Sequence, residues 1–171
     1  WMKEEFDIYG VDFHQRGKIT DETIEVLHKL WSGSMVEHHG AHFDFPRVQL
    51  SPAPSVAPPI YIGGSSEAAL RRAARVGDGY IGAGTAPEGV KPLLRRLHEL
   101  RKEYNREHLP FEAMLGITTT PSPDLYRRLA DDGLQSTVAP PFQYALGKKH
   151  STIDEKKQFM EASAEGIVRH F

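Results

Sequence analysis

The hydrophobic and polar positions along this chain change period several times. Trp1 to Tyr9 is amphipathic and predicts a short helix that stops at Gly10. A polar stretch, Val11 to Thr20, reads as a loop. Thr20 or Asp21 then serves as cap for a helix whose apolar residues Ile24, Leu27, Leu30 and Trp31 fall on one face, ended by Ser32-Gly33-Ser34. Met35 to Gly40 and His42 to Phe45 read as two short strands about a glycine turn. Pro46, Pro52, Pro54, Pro58 and Pro59 predict an extended surface linker, because proline donates no ladder hydrogen bond.

After Pro59 the pattern becomes regular. Ile60-Tyr61-Ile62 predicts a strand running into Gly63-Gly64-Ser65-Ser66, followed by a helix from Glu67 to Val76. Tyr80-Ile81 predicts a second strand, leading into a turn at Gly82-Ala83-Gly84-Thr85. The next helix carries Val90, Leu93, Leu94, Leu97 and Leu100. Pro92 fits a helix only in its first turn, which places the start near Glu88. Phe111 to Thr120 reads as a strand, Ser122-Pro123-Asp124 as the opening of a helix to Asp132, and Leu134 to Ala139 as a last strand. Ser151, with Asp154 as capping-box partner, opens a terminal helix. Short apolar strands alternating with amphipathic helices predict an α/β fold with a parallel sheet. Four β-α units make a small open sheet or half of an eight-fold barrel.

Length and composition narrow the function. The chain has 171 residues, no cysteine, 21 Lys and Arg, 23 Asp and Glu, and a net charge of -2. Without cysteine there is no disulfide, thiolate nucleophile or Cys-ligated metal. A near-neutral balance argues against a nucleic-acid partner, and no apolar run is long enough to span a membrane. A whole (β/α)8 barrel takes about 250 residues, and Trp1 is no translation start, so a processed chain or a piece of a longer protein is expected.

The glycine turn after Ile62 is the strongest chemical signal. Two glycines let backbone approach a ligand, and the first amides of the following helix attract anions. A phosphate on Gly64, Ser65 and Ser66 is one reading; a plain strand-to-helix turn with Ser65 as cap is the other. Glu67 would repel a phosphate. On the phosphate reading, replacing Gly64 by Val weakens binding with little loss of fold. Gly82 and Gly84 form a second glycine-rich strand end, favoured as a simple turn. His38, His39 and His42 suggest a metal site, but solvated loop histidines explain them, and no metal is expected. Asp12, His14 and Arg16 are either a catalytic cluster or a salt-bridged surface turn. Arg71, Arg72 and Arg75, and likewise Arg95, Arg96, Arg101 and Lys102, read as solvated helix faces.

Taken in order, these motifs resemble the bacterial luciferase-like family of flavin-dependent monooxygenases and their relatives that use the deazaflavin coenzyme F-420. The likeness rests on Trp1 to Phe6, Gly10-Val11-Asp12-Phe13 with Arg16-Gly17, and Asp21-Glu22 to Leu30-Trp31. It continues through Gly40, Phe43 and Phe45, Pro58 to Ser66, and Ala69 to Arg75 with Gly77-Asp78-Gly79-Tyr80. The resemblance implies one partial barrel domain, residues 1–171. Residues 1–59 would be helices and an insertion before strand five, and 60–171 would be strands five to eight. It implies an oxidoreductase acting on a small organic substrate, by monooxygenation with reduced FMN or hydride exchange with F-420. Gly63, Gly64, Ser65 and Ser66 would hold the cofactor's phosphate tail, and Trp1 would contact the cofactor. No catalytic acid or base is assigned, since the family draws these largely from strands one to four. A cytoplasmic location and a homodimer, or association through exposed half-barrel edges, complete the expectation. The alternative is a non-catalytic half-barrel that self-associates or needs its missing half.

Overall fold

The structure, a computed structural model, describes residues 1–171 and divides into two compact units, Trp1–Pro58 and Pro59–Phe171.

The first unit begins with helix α1 (Lys3–Ile8), a 3-10 turn (Phe13–Gln15) and helix α2 (Arg16–Trp31). The expected polar loop is therefore largely helical. Asp12 provides the start signal: its carboxylate accepts from the His14 amide at 2.8 Å, and the 3-10 turn feeds straight into α2. Thr20 is inside the helix, its hydroxyl donating to the Arg16 carbonyl at 2.7 Å, so it is not a cap. Strands β1 (Val36–His39) and β2 (Asp44–Val48) form the expected hairpin. They pair antiparallel, with an irregularity between Val36 and His38. Pro46 lies within β2 rather than opening the linker. A two-stranded ribbon has open edges, which tolerate a residue without a donor.

In the second unit, strands β3 (Tyr61–Gly63), β4 (Gly79–Thr85), β5 (Glu112–Ile117) and β6 (Ser136–Val138) lie side by side in chain order, all parallel. The connections carry α3 (Glu67–Val76), α4 (Pro87–Glu103) and α5 (Pro123–Asp131). Pro123 opens α5 behind the Ser122 cap, as the sequence predicts. Pro92 is the sixth residue of α4, past the first turn. It is exposed, so the carbonyl it leaves without a donor can meet water, while Val90, Leu97 and Leu100 bury the opposite side.

Successive strand residues point to opposite faces. Ile62, Tyr80, Ala113 and Leu115 are buried with Leu70, Ala73, Ala74, Leu97, Leu100, Leu125 and Leu129 of the helices, and this layer is the core. The other face carries Ile81, Met114 and Ser136, and Ile81 is 40% exposed. There the Tyr61 hydroxyl donates to one oxygen of Glu112 and the Ser136 hydroxyl to the other. Tyr61 reaches across Gly79, where a Cβ would lie 2.5 Å from its ring, so only glycine fits.

The chain ends in helices α6 (Phe142–Ala145) and α7 (Ile153–Gly166). The sequence reading missed α6 and placed the α7 cap one residue early. Thr152 is the cap: its hydroxyl accepts from the Glu155 amide at 3.2 Å, and its amide donates to the Glu155 carboxylate at 2.9 Å. No residue of α7 is buried.

Candidate cofactor-phosphate turn at the end of strand β3

β3 ends at Gly63, and the chain reaches α3 through Gly64, Ser65 and Ser66. Gly64 has φ +112°, which L side chains rarely adopt, and a Cβ there would lie 3.0 Å from that of Ala69. The turn therefore demands this glycine, and Gly64→Val would strain the turn itself, contrary to the sequence expectation. Gly63 differs: a Cβ would find its nearest atom at 3.5 Å, an ordinary contact. Nothing within the chain requires Gly63 to lack a side chain, so close approach of a ligand is a reason left open.

Ser66, not Ser65, is the cap of α3, its hydroxyl accepting from the Ala69 amide at 3.3 Å. The first amides of a helix have no partner within it. Here the amide of Ala69 is taken up by Ser66, while those of Glu67 and Ala68 have no backbone acceptor. Ser65 is exposed. The Tyr80 hydroxyl donates to the Gly64 carbonyl at 3.0 Å and so fixes the orientation of the turn. Burial raises the pKa of this phenol. Tyr80 was read only as a strand residue; its polar tip within an apolar strand was the available signal.

Glu67 does not stand as an open charge against an anion. It pairs with Arg96, and Arg71 lies 3.0 Å from the same carboxylate. The Arg96 hydrogen bond, with the charges of Arg96 and Arg71, outweighs desolvation and lowers the Glu67 pKa. Glu103 binds Arg71 at 2.9 Å, so these helix faces are the ion-paired surfaces expected. Arg101 is the exception. It is only 4% exposed, with its guanidinium 4.3 Å from the Phe111 ring centre.

The second glycine-rich segment is not a turn. β4 continues through Gly82 to Thr85, with a register shift against β5. Both glycine-bearing segments nonetheless lie at the C-terminal ends of their strands, where α/β proteins bind ligands.

The other sequence candidates separate. Trp1 belongs to the first unit and is 94% exposed. Asp12 caps the 3-10 turn, and Arg16 donates to the Phe13 carbonyl at 2.7 Å and lies over its ring. That local structure replaces both the catalytic cluster and the salt-bridged turn. Of the histidines, His39 is exposed and pairs with Asp44 at 2.6 Å. His38 is buried, contrary to the solvated-loop reading. Its Nε2 donates to Glu22 at 3.1 Å and its Nδ1 accepts from Lys29 at 2.9 Å, since an ammonium can only donate. Glu22 also accepts from the amides of His42 (3.0 Å) and Phe43 (2.8 Å). No group of three or more His, Asp or Glu is arranged to hold a metal ion. No helix is long and apolar enough to cross a membrane.

The family model described as luciferase-like monooxygenase matches residues 1–166. An uncharacterised protein of Mycobacterium tuberculosis is 34% identical over 166 residues, covering 96% of this chain and 57% of that protein. The chain thus spans little more than half the length of that relative. An FMNH2-dependent dimethylsulfone monooxygenase of Pseudomonas fluorescens is 35% identical over 94 residues, 53% of this chain and 26% of that enzyme. Among solved structures, the coenzyme F-420 dependent tetrahydromethanopterin reductase of Methanopyrus kandleri matches with a TM-score of 0.75. It covers all of this chain and 72% of the other at 13% identity, which speaks for a shared fold. A family match over nearly the whole length, on an α/β fold of this kind, shows that the chain belongs to the luciferase-like monooxygenase family.

Proposed function

We propose that this chain forms strands five to eight of a (β/α)8 barrel oxidoreductase, and that Gly63, Gly64, Ser65 and Ser66 hold the phosphate of FMN or coenzyme F-420. The sheet supports the first part: four parallel strands in chain order, with helices packed on one face, are what one arc of such a barrel contains. On this view residues 1–59 precede strand five and the open sheet face lines the barrel interior.

One observation carries the second part. The α3 amides of Glu67 and Ala68, at the helix start that follows β3, have no backbone acceptor, Gly63 before them is required by nothing in the chain, and the Glu67 carboxylate is neutralised by arginines. The bound ring would supply the redox chemistry, oxygen activation with reduced flavin or hydride exchange with the deazaflavin. This chain's contribution is to anchor the phosphate with backbone amides and the Ser65 hydroxyl, while Tyr80 holds the turn in place. A small organic substrate belongs to the reading. So do the Trp1 contact with the cofactor, a homodimer and a cytoplasmic location, though none of these bears weight in it.

The test compares ligands with and without phosphate. FMN should bind the chain at least about tenfold more tightly than riboflavin, the scale of several charge-assisted bonds. F-420 should likewise exceed its phosphate-free deazaflavin core. Ser65→Glu, at an exposed position, should erase either preference. Equal fluorescence-monitored affinities for each pair would remove the turn from the cofactor site.

A further inference from the structure

Within the first unit, the His38 ring sits between opposite charges. It is only 5% exposed, with the Lys29 ammonium 2.9 Å from Nδ1 and the Glu22 carboxylate 3.1 Å from Nε2. An ammonium can only donate, so Nδ1 is unprotonated, Nε2 carries the hydrogen and the ring is neutral. A second carboxylate lies on the ammonium's side. Glu25 Oε1 is 3.9 Å from Nδ1 and 2.9 Å from the Lys29 nitrogen. Glu22, Glu25 and Lys29 are spaced three and four residues apart, which places them along one face of α2. From the hairpin, Phe45 stacks on the ring at 5.8 Å, and the charge of His42 acts on Glu22. Asp44 is held by His39, and Glu37 and Arg47 are exposed.

We propose that His38 is a proton-operated switch between the hairpin and α2, in which protonation exchanges Lys29 for Glu25 at Nδ1. A proton on Nδ1 sets an N–H against the ammonium, and two donors facing each other repel, so the Lys29 contact does not survive it. Glu25 is the acceptor in reach. It is 59% exposed and free to turn, and a movement of about 1 Å brings it within hydrogen-bond distance. Both carboxylates are still charged where imidazoles change charge, about pH 5–8. The Lys29 hydrogen bond and charge lower the Glu25 pKa from 4.5 against its desolvation. For Glu22, burial is outweighed by the Phe43 and His42 amides and the His38 ring. The neutral ring therefore holds the ammonium inward, and the imidazolium bridges Glu22 and Glu25. Lys29, already 38% exposed, then turns to solvent and keeps only the other oxygen of Glu25. The bond from Nε2 to Glu22 is common to both states, so the hairpin stays fastened while the charge on its surface is rearranged. The step takes one proton from solvent and needs no other reactant.

The test follows the side-chain nitrogen resonances of His38 and Lys29 by NMR in the whole 171-residue chain, from about pH 8 to about pH 5, with His39 as internal reference. At the upper end His38 should carry its proton on Nε2 alone and show a through-space contact with the Lys29 side chain. As Nδ1 takes up a proton, that contact should disappear at the same midpoint. Lys29→Met removes the ammonium and should move the midpoint of the ring up by about half a pH unit or more. Glu25→Gln removes the receiving charge and should move it down by about as much, the scale of one nearby charge. Both side chains are partly exposed, so both variants keep the fold. A proton on Nδ1 at the upper end, a Lys29 contact that outlasts ring protonation, or variants that fail to move the midpoint in opposite directions would each overturn the assignment.

Discussion

The two units of this molecule are held together by different physics. Of the buried apolar residues, only Ile24 and Val26 lie in the first unit. Its hairpin is fastened to α2 through polar groups: Glu22 takes the His38 ring and two turn amides at once, and Lys29 donates to the other nitrogen of His38. The second unit has a continuous apolar layer between one sheet face and its helices, and its charged groups lie outside that layer except Arg101. A polar knot depends on every partner staying in place, because each bond lost strands another buried group. An apolar layer is non-directional and spreads its contribution over many side chains. The difference predicts that the first unit fails at single polar contacts and the second only at large apolar ones.

The largest effect should come from the layer. Leu115, fully buried on β5, should cost about 2–5 kcal/mol when replaced by Ala, a range typical of buried leucine truncation, and denaturant titration would measure it. A loss below that range would mean that the layer relaxes around the cavity.

Next comes the knot. A Cβ at Gly40 would lie 2.0 Å from Glu22 Oε1 and 2.5 Å from His38 Nε2. Gly40→Ala should displace the carboxylate and raise amide exchange at His42 and Phe43 by about tenfold or more, the scale of losing a charge-assisted hydrogen bond. Amides of β4 and β5 should keep their protection. Uniform loss of protection in both units would break the comparison.

Acid should act on each unit through its own carboxylate. Burial raises the Glu22 pKa, but the amides of Phe43 and His42 and the His38 ring outweigh it, and the net shift is downward from 4.5. A lowered folded pKa means that ionised Glu22 stabilises the folded form above the ordinary value. That contribution is lost as pH falls through the folded value. Glu112 behaves alike, since the Ser136 and Tyr61 hydroxyls lower its pKa against desolvation. As pH falls below 4.5, hairpin and sheet resonances should each report a titration in an NMR experiment, and Glu112→Gln should remove only the acid response of the sheet. Hairpin and sheet responding together in that variant would argue that they share one titrating group.

The smallest effect belongs to the exposed ion pairs between α3 and α4. Arg71→Ala breaks contacts to Glu67 and Glu103, yet should move the melting temperature by no more than about 2 °C, as exposed pairs contribute little. A larger drop would assign the charged surface a share of what the apolar layer is held to supply.

Local signals were read well where they act locally. The α3 boundaries and the Ser122-Pro123 opening of α5 follow from caps, proline and apolar spacing. Where the decisive contact is distant in sequence, the reading failed. His38 was placed in solvent because its partners, Glu22 and Lys29, are 16 and 9 residues away on another element. Arg101 was assigned to a solvated face because its neighbours alternate in charge, whereas Phe111 and two loop carbonyls draw it inside. The start of α2 was misplaced because Asp12 caps a 3-10 turn that no periodicity announces.

From residue order alone came the alternation of strand and helix, the family likeness and the glycine-serine segment, since hydrophobic period and turn chemistry are properties of neighbouring residues. Tertiary structure decided which groups leave water. It neutralised Glu67, gave Tyr80 a backbone partner, buried His38 and left one guanidinium nitrogen without an acceptor. Desolvation and pairing depend on atoms brought together from remote parts of the chain, and no local pattern encodes them.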